Sequence, residues 1–209
     1  KNIIQWCNAA KGLKVNLWMD KTARKATGAS LDELTKAGVH IREISELEKR
    51  SERLSELRER LPTVDEQGVN GGAAGALSDV VRLEILSLEG GTYMDSDNTP
   101  GPAANSFSGM TAPNGYRLGW GELEGDENFS NDAISAAPGN RFINDYLNHS
   151  YKNLTPPDTI ANIRSREKEK VKSSVMHSTG PHAMRTVPLP VGEERISSVR
   201  SELQSSKKL

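Results

Sequence analysis

The sequence predicts an α/β domain, and three observations carry the prediction. Helix-like and strand-like segments alternate over the first 41 residues, the pattern of a sheet covered by helices. A helix apolar on most sides follows at Asn70 to Leu88, and such a helix is buried. It stops at Gly90-Gly91 and runs straight into a short strand, Thr92-Tyr93-Met94.

The elements follow in order. Ile3, Ile4, Trp6 and Cys7 form the apolar face of a short helix ended by Lys11-Gly12. Leu13, Val15, Leu17 and Met19 alternate with polar residues, which is strand periodicity, and Asp20 closes the strand. Ser30 is placed as an N-cap with Glu33 at the capping-box position. Gly38 then leads to a strand at Val39-His40-Ile41. Ile44 to Leu61 reads as one long charged helix, with Leu47, Leu54 and Leu61 seven apart, ended by Pro62. It is either a solvated helix covering the sheet or an arm for a partner, and residues 42–62 are taken as a helical insertion. Asn98 to Gly125 is rich in Pro, Gly, Asn and Ser and reads as loop. Phe129 to Ala137 is compatible with a strand. Pro138-Gly139 opens a helix through Tyr151, broken by Thr155-Pro156-Pro157. Ile160 to Lys172 is polar and helical, and Val175-Met176-His177 reads as a strand ending at Thr179-Gly180-Pro181. From Arg185 onward there is no strong core signal.

Composition narrows the function classes. The 209 residues carry a net charge of −1, so there is no basic field for nucleic acid. The lone Cys7 excludes an intramolecular disulfide, and no Cys/His cluster suits zinc. No apolar run approaches a membrane helix and there is no signal-peptide pattern. With 35% apolar residues, 18 glycines and 10 prolines, the chain is a core wrapped in much loop, or a fragment. It opens on Lys1, inside a helix-like stretch, and is read as a single domain over 1–209 truncated at both ends.

The chemistry concentrates around the central helix. Asp79 and Arg82 are three apart and share a flank. They are either a structural ion pair or part of a site, because a buried pair is unfavourable unless fully hydrogen-bonded. Asp95 and Asp97 stand one residue apart after the strand. Either they belong to a polar turn, or their repulsion is relieved by a cation. A hard divalent ion held by one or two carboxylates keeps positions open for substrate phosphates. If the strand continues through them, the two side chains point to opposite faces. Trp6 and Trp18 are expected in the core; Trp120, between glycines in the loop, either lines the acceptor site or anchors the loop, and Tyr116 and Arg117 lie in the long loop where an acceptor would dock. His177 and His182 flank the Gly-Pro turn, as polar residues or as metal or phosphate contacts.

The block Ala76-Leu77-Ser78-Asp79-Val80-Val81-Arg82-Leu83-Glu84-Ile85-Leu86, followed by Gly90-Gly91-Thr92-Tyr93-Met94-Asp95-Ser96-Asp97, resembles the nucleotide-sugar glycosyltransferases with a DXD motif. That family has the GT-A fold, a Rossmann-like central sheet flanked by helices. It includes the large clostridial cytotoxins, related bacterial effectors and fungal mannosyltransferases. Asn98-Thr99-Pro100-Gly101 resembles the toxin branch. Ile4-Gln5-Trp6 through Asp20, Asn131 through Gly139, and Ser178-Thr179-Gly180-Pro181 resemble flanking segments of the same fold.

The resemblance implies a retaining transferase that moves glucose or N-acetylglucosamine from a UDP-sugar to a hydroxyl of a host protein, a Rho/Ras-type small GTPase by analogy. Such an enzyme is a secreted toxin or effector acting in the host cytosol. Asp79 and Arg82 would bind the sugar hydroxyls and diphosphate, and Tyr93 would sit against the nucleotide-sugar. Asp95 would contact ribose and sugar and, with Asp97, serve a Mn2+ or Mg2+ ion bridging the diphosphate. Asn131 would lie near the donor sugar. The resemblance further implies a first strand before Lys1 and a closing Glu/Ser/Trp loop that has no match after Pro181. The alternatives are a mannosyltransferase using a GDP-sugar and a non-catalytic interaction module of the same fold.

Overall fold

The computed structural model describes residues 2–9, 12–65, 68–100, 115–123 and 126–188. In chain order the elements are α1 (Asn2–Ala9), β1 (Asn16–Met19), α2 (Lys21–Lys36), β2 (His40–Glu43), α3 (Ser45–Glu48), α4 (Glu52–Arg60), β3 (Val64–Asp65) and β4 (Gly68–Val69). They continue with α5 (Gly71–Glu89), β5 (Gly91–Met94), β6 (Tyr116–Leu123), β7 (Asp126–Ala136), α6 (Arg141–Asn153), α7 (Pro157–Arg164), α8 (Lys168–Ser178) and α9 (Pro181–Thr186).

Helix α5 is the axis of the molecule. The Asn70 side chain caps it by accepting from the Ala73 amide, the role expected of Asn at a helix start. Gly90 ends it at φ +66, where a Cβ would also strike the Pro138 ring at 2.6 Å, so only glycine fits. At its other end Gly72 lets α7 and α8 close in: a Cβ there would meet the Ile163 carbonyl oxygen at 2.3 Å and Val171 at 2.5 Å. Leu77, Val80, Leu83 and Leu86 of α5 join one core with Leu54 and Leu57 of α4, Ile134 of β7, and Phe142, Ile143 and Tyr146 of α6.

The strands fall into separate sheets among the described residues. β1 and β2 pair in parallel, Leu17 opposite Ile41. β5 and β6 both pair antiparallel with β7, giving the order β5-β7-β6, with Tyr93 opposite Ile134. Charges tie the parallel pair to the core. Arg42 of β2 reaches Glu89 at the end of α5 (2.6 Å) and Glu46 of α3 (2.7 Å), and Arg58 of α4 pairs with Asp20 and Glu48.

Several expectations change. The Ser30 N-cap does not occur, because α2 begins at Lys21 and runs through residue 30. The long helix over 44–61 is two, broken at Ser51. The Ser51 hydroxyl accepts from the Leu54 amide to cap α4 and donates to buried Glu84 at 2.7 Å, and these bonds favour a break over a continuous helix. Leu47, Leu54, Leu57 and Leu61 are buried in the core rather than spread over a sheet or offered to a partner. The loop reading over 98–125 gives way to β6 at Tyr116, and its stretch 101–114 lies outside the described residues. Tyr116 is buried and stacked on Phe142 at 4.6 Å, so it does not face an acceptor. The side chains of Arg117 and Trp120 lie outside the described set. Val175-Met176-His177 is helix, not strand: it belongs to α8, which packs on α5 and α7. Trp6 and Trp18 are half-buried; Trp18 carries the Arg42 guanidinium over its ring at 3.8 Å. Met184 and Val187 are buried, so the core extends past Arg185.

Candidate functional site

The site is assembled where the middle of α5 meets the end of β5. Asp79 and Arg82 lie on the same flank of α5, with side chains only 9% and 6% exposed. The Arg82 Nη2 is 2.9 Å from Asp79 Oδ1 and 3.4 Å from Asp95 Oδ1. Its Nη1 donates to the Asn131 carbonyl of β7, and its Nε to the Ser78 carbonyl at 3.4 Å. The Tyr93 ring lies under the guanidinium at 4.6 Å, a cation–π contact in a desolvated setting.

Asp79 is saturated in the same way. Oδ1 accepts from Asn131 Nδ2 at 3.0 Å as well as from Arg82, and Oδ2 accepts from the Thr179 hydroxyl at 2.9 Å. The pair is therefore a fully hydrogen-bonded buried ion pair, the form in which such pairs are tolerated. Burial pushes the Asp79 carboxyl above its ordinary value, and Arg82, Thr179 and Asn131 pull it back. Burial works against the charge on Arg82 too, yet Asp79, Tyr93 and Asp95 together hold its pKa above the ordinary value. Burial raises the Tyr93 phenol, helped by Asp95, so Tyr93 stays protonated and donates to Asp95 Oδ1 at 2.6 Å.

Asp95 and Asp97 do not continue the strand. β5 ends at Met94, and a turn closes from the Asp95 carbonyl to the Asn98 amide at 3.1 Å. The alternation expected of a strand is therefore lost at these positions. Asp95 turns inward to Arg82 and Tyr93 with its side chain 34% exposed, whereas Asp97 is exposed at the turn. The turn is pinned from both sides. The Asp132 carbonyl of β7 accepts from the Asp95 amide (2.8 Å) and Asn98 Nδ2 (3.2 Å). From α1, Asn2 Nδ2 donates to the Asp97 carbonyl and Trp6 Nε1 to the Asn98 carbonyl, both at 2.9 Å.

Five residues singled out from the sequence thus meet in one network: Asp79, Arg82, Tyr93, Asp95 and Asn131. Asp97 stands at its edge. Thr179, Tyr146, Asn2 and Trp6 were given no part in the site by the sequence, which placed Trp6 in the core. Thr179 lay in a segment already marked by the Gly-Pro turn, but nothing local shows that its hydroxyl reaches a residue 100 positions away. His177 and His182 stack on each other at 4.6 Å.

No group of three or more His, Cys, Asp or Glu among the described residues could enclose a metal ion. What the turn offers is one exposed carboxylate beside one partly committed carboxylate. Those hard oxygen donors fit an ion that keeps most of its coordination for phosphate and water.

No family model matches the chain. Over 222 residues it is 23% identical to "Subversion of eukaryotic traffic protein A" of Legionella pneumophila, spanning 99% of this chain and 32% of that protein. Over 126 residues it is 29% identical to Toxin A of Clostridium novyi, spanning 59% of this chain and 5% of that one. The solved PaToxG glycosyltransferase superimposes with a TM-score of 0.61 at 17% identity, covering 88% of this chain and 60% of that one.

The chain resembles the toxin glycosyltransferases. Its fold is the GT-A fold of their catalytic domains. This toxin-glycosyltransferase-like chain spans about a third of the length of the Legionella relative.

Proposed function

We propose that the chain is the catalytic region of a metal-dependent, retaining glycosyltransferase that moves glucose or N-acetylglucosamine from a UDP-sugar to a hydroxyl of a host protein. Its setting is that of a secreted toxin or effector acting in the host cytosol, and the toxin branch points to a small GTPase as acceptor. The observation that carries the reading is the closed Asp79–Arg82–Asn131–Asp95 network set directly against the exposed Asp97 turn. The likeness to toxin glycosyltransferases in sequence and fold supports it.

The reaction breaks the bond between the anomeric carbon and the diphosphate oxygen and forms one to the acceptor oxygen, with the acceptor proton released. A Mn2+ or Mg2+ ion, when bound at Asp97 and Asp95, would supply Lewis-acid stabilisation of the leaving diphosphate. The remaining work falls to the chain. Arg82 has its donors committed to Asn131, Ser78, Asp79 and Asp95, so its part is to orient Asp95 and Asn131. Asp79 fixes Arg82 and the Asn131 amide. Tyr93, protonated, holds Asp95 Oδ1, the oxygen that also faces Arg82, and leaves Oδ2 for a ribose or sugar hydroxyl. Buried and fully satisfied, the network needs no reorganisation during the reaction, the condition under which electrostatic stabilisation is most effective.

The test is release of UDP from UDP-glucose and UDP-N-acetylglucosamine with added Mn2+, without acceptor. Slow release is expected, lost with chelator and about 100-fold slower in Asp95→Asn and Asp97→Asn. Undiminished activity in both variants would refute the metal assignment. Release from GDP-mannose alone would move the protein to the mannosyltransferases, and no release from any donor would make it an interaction module.

A further inference from the structure

One contact to the network comes from outside every residue assigned above. Asp79 Oδ2 accepts from the hydroxyl of Thr179, which is fully buried at the C-terminal end of α8. The same hydroxyl lies 3.3 Å from the Val175 carbonyl, the ordinary partner of a threonine at a helix end. A hydroxyl has one proton, and at 2.9 Å the charged carboxylate is the stronger acceptor. Thr179 does not reach Asp79 by chance of rotamer. The Tyr146 hydroxyl of α6 donates to the Thr179 carbonyl at 2.5 Å and lies 3.1 Å from that of Gly180, locking the segment between α8 and α9. Helix α8 is in turn seated on α5 through Gly72.

We propose that Thr179 is a positioning residue for the sugar-transfer site: its hydroxyl fixes the Asp79 carboxylate, and through Arg82 and Asn131 it sets the orientation of Asp95. The inference rests on the proposed transferase activity and deepens it. The three donors on Asp79 come from three elements, Arg82 from its own helix, Asn131 from β7 and Thr179 from the end of α8, while Oδ1 carries two of the contacts and Oδ2 is answered by Thr179. Removing the hydroxyl leaves a buried carboxylate oxygen without that donor, which favours the neutral acid. A neutral Asp79 holds Arg82 less tightly, and the guanidinium then turns toward Asp95. The titratable and charged groups that bear on Asp79 are Arg82 on α5, Asp95 at the turn after β5, and Tyr146 on α6.

The experiment pairs Thr179→Val, which keeps shape and removes the hydroxyl, with Thr179→Ser, which keeps the hydroxyl. Two quantities are read on the whole chain: the titration of the Asp79 carboxyl by carbon NMR, assigned against Asp79→Asn, and the pH profile of UDP release. In Thr179→Val the Asp79 midpoint should rise by about one pH unit, the size of one charge-assisted hydrogen bond. The acid limb of kcat should rise with it while KM for the UDP-sugar changes little, and Thr179→Ser should restore both. A midpoint that stays in place, or a rate that falls equally at every pH, would show that Thr179 only caps α8 and would overturn the proposal. If the parent chain releases no UDP, the transferase reading fails on its own, and the NMR midpoint still decides whether Thr179 holds Asp79. If Thr179→Val does not fold, Thr179→Ala carries the same comparison.

Discussion

The α5 end of the site and the turn after β5 place the same residue type in opposite environments. Asp79 is buried, and both its oxygens are engaged by protein donors; Asp97 is exposed at the tip of a turn whose backbone, not its carboxylate, is held. Asp95 stands between them, one oxygen committed to Tyr93 and Arg82 and a third of its side chain facing solvent. The difference separates two jobs. A buried, saturated carboxylate fixes geometry and has little left to offer a ligand, whereas an exposed one on a pinned turn is available to an ion or a hydroxyl. Stability and activity should therefore respond differently along this series.

The buried end should give the largest effect. Arg82→Met leaves Asp79 and Asp95 facing an apolar side chain, and breaking a buried pair from one side costs about 3–5 kcal/mol. Urea denaturation should show that loss together with loss of UDP release. A variant that kept its stability would mean that the pair is not buried as described.

Asp97→Asn should separate the two properties. Its denaturation midpoint should match that of the parent, because the side chain is exposed, while UDP release falls by about 100-fold, the scale of losing one preorganised electrostatic contact. The Mn2+ dependence of the residual rate should weaken in parallel. An Asp97→Asn protein that unfolds more readily but turns over normally would invert the comparison.

How much of this contrast was legible in the chain follows the same line between local and distant causes. The bounds of α5 were readable because its signals are local: an apolar run that begins at Asn70, and Gly90-Gly91 as stop; the capping role of the Asn70 side chain appears only in the structure. The short strand at Tyr93 and the grouping of Asp79, Arg82 and Asp95 were readable for the same reason, reinforced by the resemblance of one continuous block. The opposite environments of Asp95 and Asp97 were not, since the turn is set by a β7 carbonyl and by two side chains of α1, more than 90 residues away in the case of Trp6. Strand β6 hid in a stretch broken by Gly119 and Gly121, and it forms in pairing with β7. The end of α8 looked like a strand because three residues, Val175 to His177, cannot distinguish the two periods, and packing against α5 and α7 decided it. Thr179 was hidden for the reason that makes it useful: its partner comes from another helix.

The pinning of the turn can itself be loosened. Trp6→Phe removes the indole donor to the Asn98 carbonyl and keeps an aromatic ring beside it. The loss of one partly buried hydrogen bond costs about 1 kcal/mol. The consequence for activity should appear as a several-fold rise in the Mn2+ concentration needed for half-maximal UDP release, with kcat nearly unchanged. A fall in kcat without any change in Mn2+ requirement would place α1 elsewhere in the mechanism than behind the Asp97 turn.

The smallest effect is the dependence of stability on pH, and its sign shows what burial does to Asp79. Asp79 has its folded-state pKa raised by burial above the value in the unfolded chain, about 4 for an aspartate. The folded state therefore binds the proton more tightly. Its contribution to stability is fully present below pH 4 or so and is lost as pH rises through the raised value, the reverse of an exposed, salt-bridged aspartate. Denaturation followed across that window should show the parent losing stability relative to Asp79→Asn as pH increases, with the two slopes becoming parallel above it. If instead the parent gained stability over Asp79→Asn through this window, Arg82, Thr179 and Asn131 would outweigh desolvation at Asp79, and the buried end of the site would be stabilised by its charge rather than strained by it.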